Sequence, residues 1–303
     1  MSLDAQTPSR ALASATSASD ALDGAVTAIA AAGCDTPLLD AELLVAHVLG
    51  VRRERLITDR DLVVAGPAVR ALQDAVRRRA VEREPVAYIV GQRAFRRLDL
   101  AVDRRALVPR PETELLVEAG LDLPAGARVL DLGTGCGAVA LALKDERPDL
   151  HVTGSDISRG ALELAELNAR RLQIDVDWLH ADLLEGTGEF DAVLSNPPYV
   201  AESERASLAP EILRHEPAEA LFAGPDGLAV IGRLLEQLAQ LPDVRFAAIE
   251  VGAGQAPAVA ELIRAAGFDT IRFERDLARI QRVVIAERTV SRYGERPETG
   301  ERD

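Results

Sequence analysis

Short apolar runs alternate with helix-like stretches from Arg128 onward, and this alternation is the feature that most constrains the fold. Continuous apolar runs are typical of strands buried on both faces, with helices crossing between parallel strands. The predicted strands cover residues 129–132, 152–155, 176–180, 192–195 and 246–251. Residues 270–273 and 281–286 are predicted to form a final antiparallel pair. The sequence therefore predicts an α/β fold built on a mostly parallel sheet.

A glycine-rich turn follows the first predicted strand and leads into a helix-like stretch at 138–144. Glycines allow backbone N–H groups at a helix N-terminus to approach a ligand closely. Asp156 follows the second strand, where a carboxylate can accept hydrogen bonds from ribose hydroxyls. The pattern predicts a nucleoside site that comprises Gly133, Thr134, Gly135, Cys136, Gly137 and Asp156.

The turn alone does not identify the nucleoside. Gly133, Gly135 and Ala138 also match the dinucleotide-binding fingerprint, and Asp156 lies at the spacing that it requires. A methyltransferase and a nicotinamide-dependent oxidoreductase therefore fit this turn equally well. A nucleotide-binding module without catalytic activity is a further alternative.

The tetrapeptide Asn196-Pro197-Pro198-Tyr199 distinguishes these alternatives. It directly follows the strand at 192–195, so it lies at the carboxyl end of a strand, where open α/β sheets bind ligands. An amide or exocyclic NH2 is a poor nucleophile because its lone pair is delocalised, and it must be oriented to react. Asn196 Oδ1 and the Pro197 carbonyl can accept its two N–H bonds, and the Tyr199 ring can pack against the planar group. We expect Asn196 to position the amide and stabilise charge, and not to act as a base.

This tetrapeptide resembles that of methyltransferases that act on adenine N6, guanine N2 or glutamine N5. Three further stretches resemble blocks of the HemK/PrmC family: Glu-Pro-Val-Ala-Tyr-Ile-Val-Gly at 84–91, Val-Pro-Arg-Pro-Glu-Thr-Glu at 108–114 and Glu-Pro-Ala-Glu-Ala-Leu-Phe-Ala-Gly at 216–224. That family comprises the protein-(glutamine-N5) methyltransferases of class-1 peptide chain release factors. The resemblance extends from about residue 40 to residue 287.

The resemblance implies a Rossmann-like, seven-stranded class I S-adenosylmethionine-dependent methyltransferase domain behind a small N-terminal helical domain. It also implies methylation of the glutamine in the Gly-Gly-Gln loop of a release factor, in support of translation termination. By the same resemblance, residues 133–137 and Asp156 bind S-adenosylmethionine, Asp182 and Leu183 border its adenine, and Asn196 to Tyr199 hold the substrate amide, with Asn196 also next to the cofactor. Relatives often have an aromatic residue at the position of Leu183, where we expect apolar packing instead of stacking.

Helix-like stretches at 21–32, 37–49 and 67–84 precede the sheet, with Pro37 and Pro67 at first-turn positions and Asp20 as a possible N-cap. We predict disordered tails at 1–19 and 289–303, a helical substrate-recognition domain at 20–90, a hairpin linker at 91–108 and a methyltransferase domain at 109–288.

Charge narrows the choice of partner. The chain has 35 Lys and Arg against 49 Asp and Glu, and this net charge of −14 disfavours a protein that holds nucleic acid through its phosphates. Residues 51–110 instead carry 15 Arg against 8 Asp and Glu, a local excess that could meet an acidic partner. The resemblance to the HemK/PrmC family implies that this partner, the substrate, is a release factor. A glutamine of a ribosomal protein, or adenine N6 or guanine N2 of a nucleic acid, is the alternative.

Cys34 and Cys136 are far apart and lack the spacing of a metal site or a disulfide framework, so no metal is expected. No apolar run reaches the length of a membrane span, and no signal peptide is recognisable. We predict a monomeric, cytoplasmic protein that does not bind membranes.

Overall fold

The computed structural model describes residues 15–59 and 61–289. The helices in chain order are α1 (Ala18–Ala31), α2 (Pro37–Leu49), α3 (Arg53–Thr58), α4 (Pro67–Ala80), α5 (Val86–Val90), α6 (Glu114–Leu121), α7 (Ala138–Glu146), α8 (Arg159–Leu172), α9 (Pro210–His215), α10 (Ala229–Leu238) and α11 (Ala256–Ala265). The strands are β1 (Thr16–Ser17), β2 (Val63–Val64), β3 (Gln92–Phe95), β4 (Leu98–Ala101), β5 (Arg128–Leu132), β6 (His151–Asp156), β7 (Asp177–His180), β8 (Ala192–Ser195), β9 (Phe246–Glu250), β10 (Thr270–Arg275) and β11 (Gln281–Glu287).

The chain divides into two compact units. The helical unit extends to Arg93 and includes Val102–Arg104 and Leu208–Glu216, whereas the sheet unit contains Ala94–Ala101, Arg105–Ser207 and the chain from Pro217. This division differs from the predicted boundaries in two places. The hairpin of β3 and β4 is shared between the units, and residues 208–216 belong with the helices although the sequence pattern places them in the methyltransferase domain.

The helical unit packs α1, α2 and α4 around a small apolar core. Its first helix begins at Ala18 because the Ser17 hydroxyl, and not Asp20, caps it by accepting a bond from the Asp20 amide. Strand β1 also precedes this helix and pairs with β2. Residues 15–19 are therefore ordered, contrary to the predicted tail boundary, and residues 1–14 of that predicted tail lie outside the described residues.

Helix α4 ends at Ala80, four residues before the predicted end at Glu84. Pro85 follows Glu84 and disfavours helical backbone in the residue before it. The Glu84 carboxylate instead accepts bonds from Arg78 at 2.7 Å and Arg104 at 3.1 Å.

A buried ion cluster holds residues 208–216 within the helical unit. Arg79 on α4 donates to Asp40 Oδ2 at 2.6 Å and to Glu211 Oε1 at 3.1 Å, and Arg83 donates to Glu211 Oε2 at 2.7 Å. Arg79 and Asp40 are each only 5% exposed. Burying these charges is tolerable only because they pair, so the cluster fixes α9 against the helices.

The sheet unit contains a seven-stranded sheet in the order β10-β11-β9-β8-β5-β6-β7. Strands β5 to β9 are parallel, and β11 pairs antiparallel with both β9 and β10. The predicted α/β class and the final antiparallel pair are confirmed. The chain runs outward from β5 to β7 and then returns to β8 beside β5. Strand order thus reverses between β5 and β8, which is where open α/β sheets form ligand crevices.

Helices cover both faces of this sheet. On one face, α10 and α11 join a buried apolar cluster that includes Leu130 of β5 and Val193 of β8. On the other face, the alternate residue Asp131 of β5 accepts a bond from the backbone of α7. Side chains alternate along a strand, so Asp131 points away from the face that carries Leu130.

At the C-terminal end of the sheet unit, Thr289 is ordered by two bonds to Asp269, and residues 290–303 of the predicted tail lie outside the described residues. Within residues 15–59 and 61–289, no helix is long and apolar enough to cross a membrane.

Candidate active site

A cavity of about 260 Å³ lies in the sheet unit at the carboxyl ends of β5, β6 and β8. Its volume approaches the range usual for small-molecule sites. Ten of the twelve residues predicted for the site line it: Gly133, Thr134, Gly135, Cys136, Asp156, Asp182, Leu183, Asn196, Pro197 and Pro198. The other two, Gly137 and Tyr199, do not line it. The topology therefore brings the glycine turn and the Asn-Pro-Pro segment into one cavity.

Gly137 has a packing role. It is the N-cap of α7 with a φ of +85°, which is accessible to glycine without strain. A Cβ at this position would lie 3.0 Å from side-chain atoms of Leu141 and Trp178. Gly137 thus lets α7 and the partly buried Trp178 pack closely beside the turn.

Asp131 lies at the base of the cavity and was not predicted from the sequence. Its Oδ2 accepts bonds from the Thr134 hydroxyl at 2.6 Å and from the Ala140 amide at 3.0 Å. Burial raises the pKa of this carboxyl to about 6, against those hydrogen bonds, which lower it. A carboxylate inside the apolar run Val-Leu-Asp-Leu was the sequence signal that could have identified it.

Asp156, the last residue of β6, shapes the glycine turn from the neighbouring strand. Its Oδ2 accepts a bond from the Gly135 amide at 2.9 Å, and its Oδ1 accepts one from the Ser158 amide at 2.8 Å. Burial raises its pKa. A carboxylate offers about four acceptor positions, so these bonds leave capacity for ligand hydroxyls.

Asp182 and Leu183 line another part of the cavity. Asp182 accepts a bond from Arg233 at 2.8 Å, and both side chains border the cavity. Leu183 has a φ of +54°, and its side chain is buried in the apolar cluster on one sheet face. This places Leu183 at the cavity, and its predicted apolar packing beside the adenine stays a prediction.

The Asn196 carboxamide is held by a residue that sequence reasoning missed. Asn196 Nδ2 donates to Thr113 Oγ1 at 3.1 Å, and Thr113 is buried at the end of a short 3-10 helix, Pro111–Thr113. Since Nδ2 is engaged, Oδ1 is the side-chain atom left to accept a bond from a ligand. Thr113 belongs to the Pro-Arg-Pro-Glu-Thr-Glu block, so that block was the signal that could have revealed it.

Tyr199 is anchored at both its side chain and its backbone. Its hydroxyl donates to Glu250 Oε1 at 3.2 Å, and its carbonyl accepts a bond from Gln255 Nε2 at 2.9 Å. Burial raises the pKa of this hydroxyl, so it is neutral at physiological pH. The contacts hold the end of the Asn-Pro-Pro-Tyr segment, and the predicted contact of the ring with substrate stays a prediction.

The charge of the cavity lining favours a cationic ligand. Four carboxylates line it, Asp131, Asp156, Asp182 and Glu219, against two guanidinium groups, those of Arg105 and Arg233. S-adenosylmethionine carries a sulfonium, an ammonium and a carboxylate group, so it has one net positive charge, which fits this acidic excess. The pyrophosphate of a dinucleotide would instead face like charges.

Family models match both parts of the chain. The PrmC N-terminal domain matches residues 20–91, and the methyltransferase small domain matches residues 111–253. The fold is also found in the crystal structure of the hMettl16 catalytic domain in complex with the MAT2A 3'UTR hairpin 6. That structure has a TM-score of 0.52 and 14% identity, over 76% of this chain and 84% of that one.

Curated relatives have much higher identity. The release factor glutamine methyltransferase of Rhodospirillum rubrum is 40% identical over 277 residues, which cover 88% of this chain and 84% of the relative. That of Mycolicibacterium smegmatis is 46% identical over 219 residues, which cover 70% of this chain and 75% of the relative. At this identity and coverage, the chain belongs to the release factor glutamine methyltransferase family.

Proposed function

We propose that this protein transfers a methyl group from S-adenosylmethionine to the side-chain N5 of the glutamine in the Gly-Gly-Gln loop of a class-1 release factor. One observation carries the proposal: a single acidic cavity joins the glycine turn, Asp156 and the Asn-Pro-Pro segment. Family membership supports the protein substrate, and the reaction would serve translation termination.

The donor would be held by residues 133–136 of the glycine turn and by Asp156, with Asp182 and Leu183 beside the adenine. S-adenosylmethionine, when bound, supplies an electrophilic methyl group on its sulfonium. Asp131 and Asp156 place negative charge in the part of the cavity next to this turn. Their carboxylates would offset the positive charge of the donor.

The acceptor amide would be held by Asn196 and Pro197. The Thr113 contact leaves Asn196 Oδ1 to accept one N–H bond of the amide, and the Pro197 carbonyl would accept the other. Two fixed acceptors would orient the nitrogen lone pair toward the methyl group, and Pro198 would stiffen the backbone that presents them. A neutral carboxamide is a weak base, so Asn196 acts by orientation and not by proton removal.

The direct test is mass spectrometry of a purified release factor after incubation with the enzyme and S-adenosylmethionine. We expect the mass of one methyl group on the Gly-Gly-Gln glutamine, and none when that glutamine is replaced by asparagine. If a ribosomal protein is methylated and the release factor is not, the proposed substrate is wrong. If only nucleic acid is methylated, a protein substrate is refuted. The net charge of −14 argues against a nucleic-acid substrate.

The helical unit is proposed to recognise the folded release factor, because every residue proposed for the chemistry lies in the sheet unit. A short Gly-Gly-Gln peptide should therefore have a much lower kcat/KM than the intact factor. If the peptide and the intact factor have equal kcat/KM values, the helical unit does not contribute to recognition of the release factor.

A monomer is expected, and light scattering in solution measures this directly. The cytoplasm is the proposed compartment, because translation termination takes place there.

A further inference from the structure

The backbone that follows the Asn-Pro-Pro-Tyr segment pairs with a loop at residues 217–228, which we call the backing loop. The Val200 amide donates to the Leu221 carbonyl at 2.9 Å, and the Ala223 amide donates to the Val200 carbonyl at 3.0 Å. The first part of the backing loop lines the cavity with Pro217, Glu219 and Ala220. The cavity wall and the end of the tetrapeptide are therefore joined through one loop.

The backing loop also packs directly against the tetrapeptide. Gly227 has a φ of +75°, and a Cβ on this residue would overlap the carbonyl oxygen of Tyr199. Only glycine combines this backbone conformation with such a close approach of two backbone segments. The position of the Tyr199 carbonyl is therefore defined to within the width of a methyl group.

A single side chain joins these backbone segments. Gln255 lies between β9 and α11 and is half-buried, and its Oε1 accepts a bond from the Gly252 amide at 2.8 Å. Its Nε2 donates to the Tyr199 carbonyl at 2.9 Å and contacts the Asp226 carbonyl of the backing loop at 3.5 Å. The Gly252 amide needs an acceptor and the two carbonyls need a donor, so these partners fix the orientation of the carboxamide.

A shift of the Tyr199 carbonyl would be passed on to the proposed acceptor site. Pro197 and Pro198 precede Tyr199, and their rings fix the φ angles at both positions, so the segment has few soft torsions. The Pro197 carbonyl, two residues before the contact with Gln255, is proposed to accept an N–H bond of the substrate amide. A displacement of about 1 Å in a group that positions a reactant can lower the rate about a hundredfold.

We propose that Gln255 is a positioning residue for methyl transfer: its N–H bond to the Tyr199 carbonyl fixes the tetrapeptide against the backing loop and thereby places the Pro197 carbonyl for the acceptor amide. Gln255 does not line the cavity, so it acts through Tyr199. This inference rests on the proposed function, because it explains how the acceptor site of that reaction is held in place.

Gln255→Glu and Gln255→Met separate the hydrogen bond to Tyr199 from packing. An ionised glutamate can accept from the Gly252 amide but cannot donate to the Tyr199 carbonyl, whereas a protonated glutamate can do both. Methionine has a similar length and offers no N–H or O–H group at any pH. A half-buried carboxyl against a carbonyl oxygen should have a raised pKa, which brings its protonated form into the range of an assay.

The test compares the kcat of each variant with that of the wild type between pH 5.5 and 9, with intact release factor as substrate. At pH 8 both variants should have a kcat about tenfold or more below that of the wild type. At pH 5.5 the deficit of Gln255→Glu should shrink to about threefold or less, because the protonated carboxyl restores the bond. The deficit of Gln255→Met should be the same at both pH values.

Donor affinity distinguishes positioning of the acceptor site from a general loss of structure. The affinity of both variants for S-adenosylmethionine, measured by calorimetry, should stay within about twofold of the wild-type value. Gln240→Glu, at an exposed position after α10, is the matched control for the added charge. It should keep the wild-type kcat and pH profile.

Each other result counts against the inference. If Gln255→Glu alone loses donor affinity, Gln255→Met decides, and an unchanged kcat in that variant overturns the inference. Loss of donor affinity in both variants also overturns it, because the residue then supports the cavity as a whole. With an active wild type, an unchanged kcat in both variants or a Gln255→Glu deficit that is equal at pH 5.5 and pH 8 overturns this inference alone. An inactive wild type overturns the proposed function and the inference with it.

Discussion

Replacing Asp131 by asparagine should stabilise the sheet unit, and the gain should grow with pH. Both hydrogen bonds to Asp131, from Thr134 and Ala140, reach the same oxygen, so a carboxamide oxygen at that position can keep them. The substitution therefore removes the charge with little change in shape. It tests whether burial of the ionised carboxylate lowers the free energy of unfolding by as much as the raised pKa of Asp131 implies.

The magnitude follows from the pKa of Asp131, which burial raises from 3.8 to about 6. Between these values the folded protein keeps a proton that the unfolded chain has released, so stability falls as the pH rises through this range. This rise lowers the free energy of unfolding by about 3 kcal/mol, an effect that is fully present above pH 7 and absent below pH 3. Roughly 1 to 2 kcal/mol of it should develop between pH 5 and pH 8.

Urea unfolding monitored by tryptophan fluorescence measures the stability of the sheet unit, which contains Asp131. The chain has a single tryptophan, Trp178, which packs over Gly137 and Gly154 in the sheet unit. The difference in unfolding free energy between Asp131→Asn and wild type isolates Asp131 from other titrating groups. We expect a larger difference at pH 8 than at pH 5, and the same difference at both values would refute the reasoning. Donor affinity should fall about tenfold in this variant, since the cavity loses a negative charge.

Three further substitutions have distinct expected outcomes. Asn196→Ala should lower kcat by about two to three orders of magnitude with donor affinity retained, because Asn196 is proposed to contact the acceptor amide. Asp156→Ala should instead weaken donor binding in calorimetry, and unchanged affinity would contradict its proposed ribose contact. Arg79→Ala should destabilise the helical unit by about 3 to 5 kcal/mol in unfolding followed by circular dichroism, because it leaves the Asp40 charge buried without Arg79. Arg77→Ala, on the exposed side of the same helix, is its control, and a similar loss there would count against the buried-charge argument.

The sequence by itself determined the α/β class, the strands of the sheet and the place of the site, whereas the order of the strands came from the structure. Buried parallel strands read as continuous apolar runs, so the strand at Ala192–Ser195 was predicted with its observed bounds. Local signals also fixed α2, which begins at Pro37 and ends before Gly50 in a left-handed cap. The Asn-Pro-Pro-Tyr segment could be assigned to the carboxyl end of a strand because chain direction and position alone decide this.

Only the tertiary structure decided which polar side chains are buried and what they contact. Arg77, Arg78 and Arg79 are consecutive in sequence, yet only Arg79 is buried, with a partner that lies 132 residues away in α9. The contacts of Asn196 with Thr113 and of Tyr199 with Glu250 likewise span 83 and 51 residues. Periodicity reports which face of an element is apolar, but it carries no information about which distant segment packs there. The hydrogen bonds and pKa values of the site depend on that packing, because burial and a specific partner set them both.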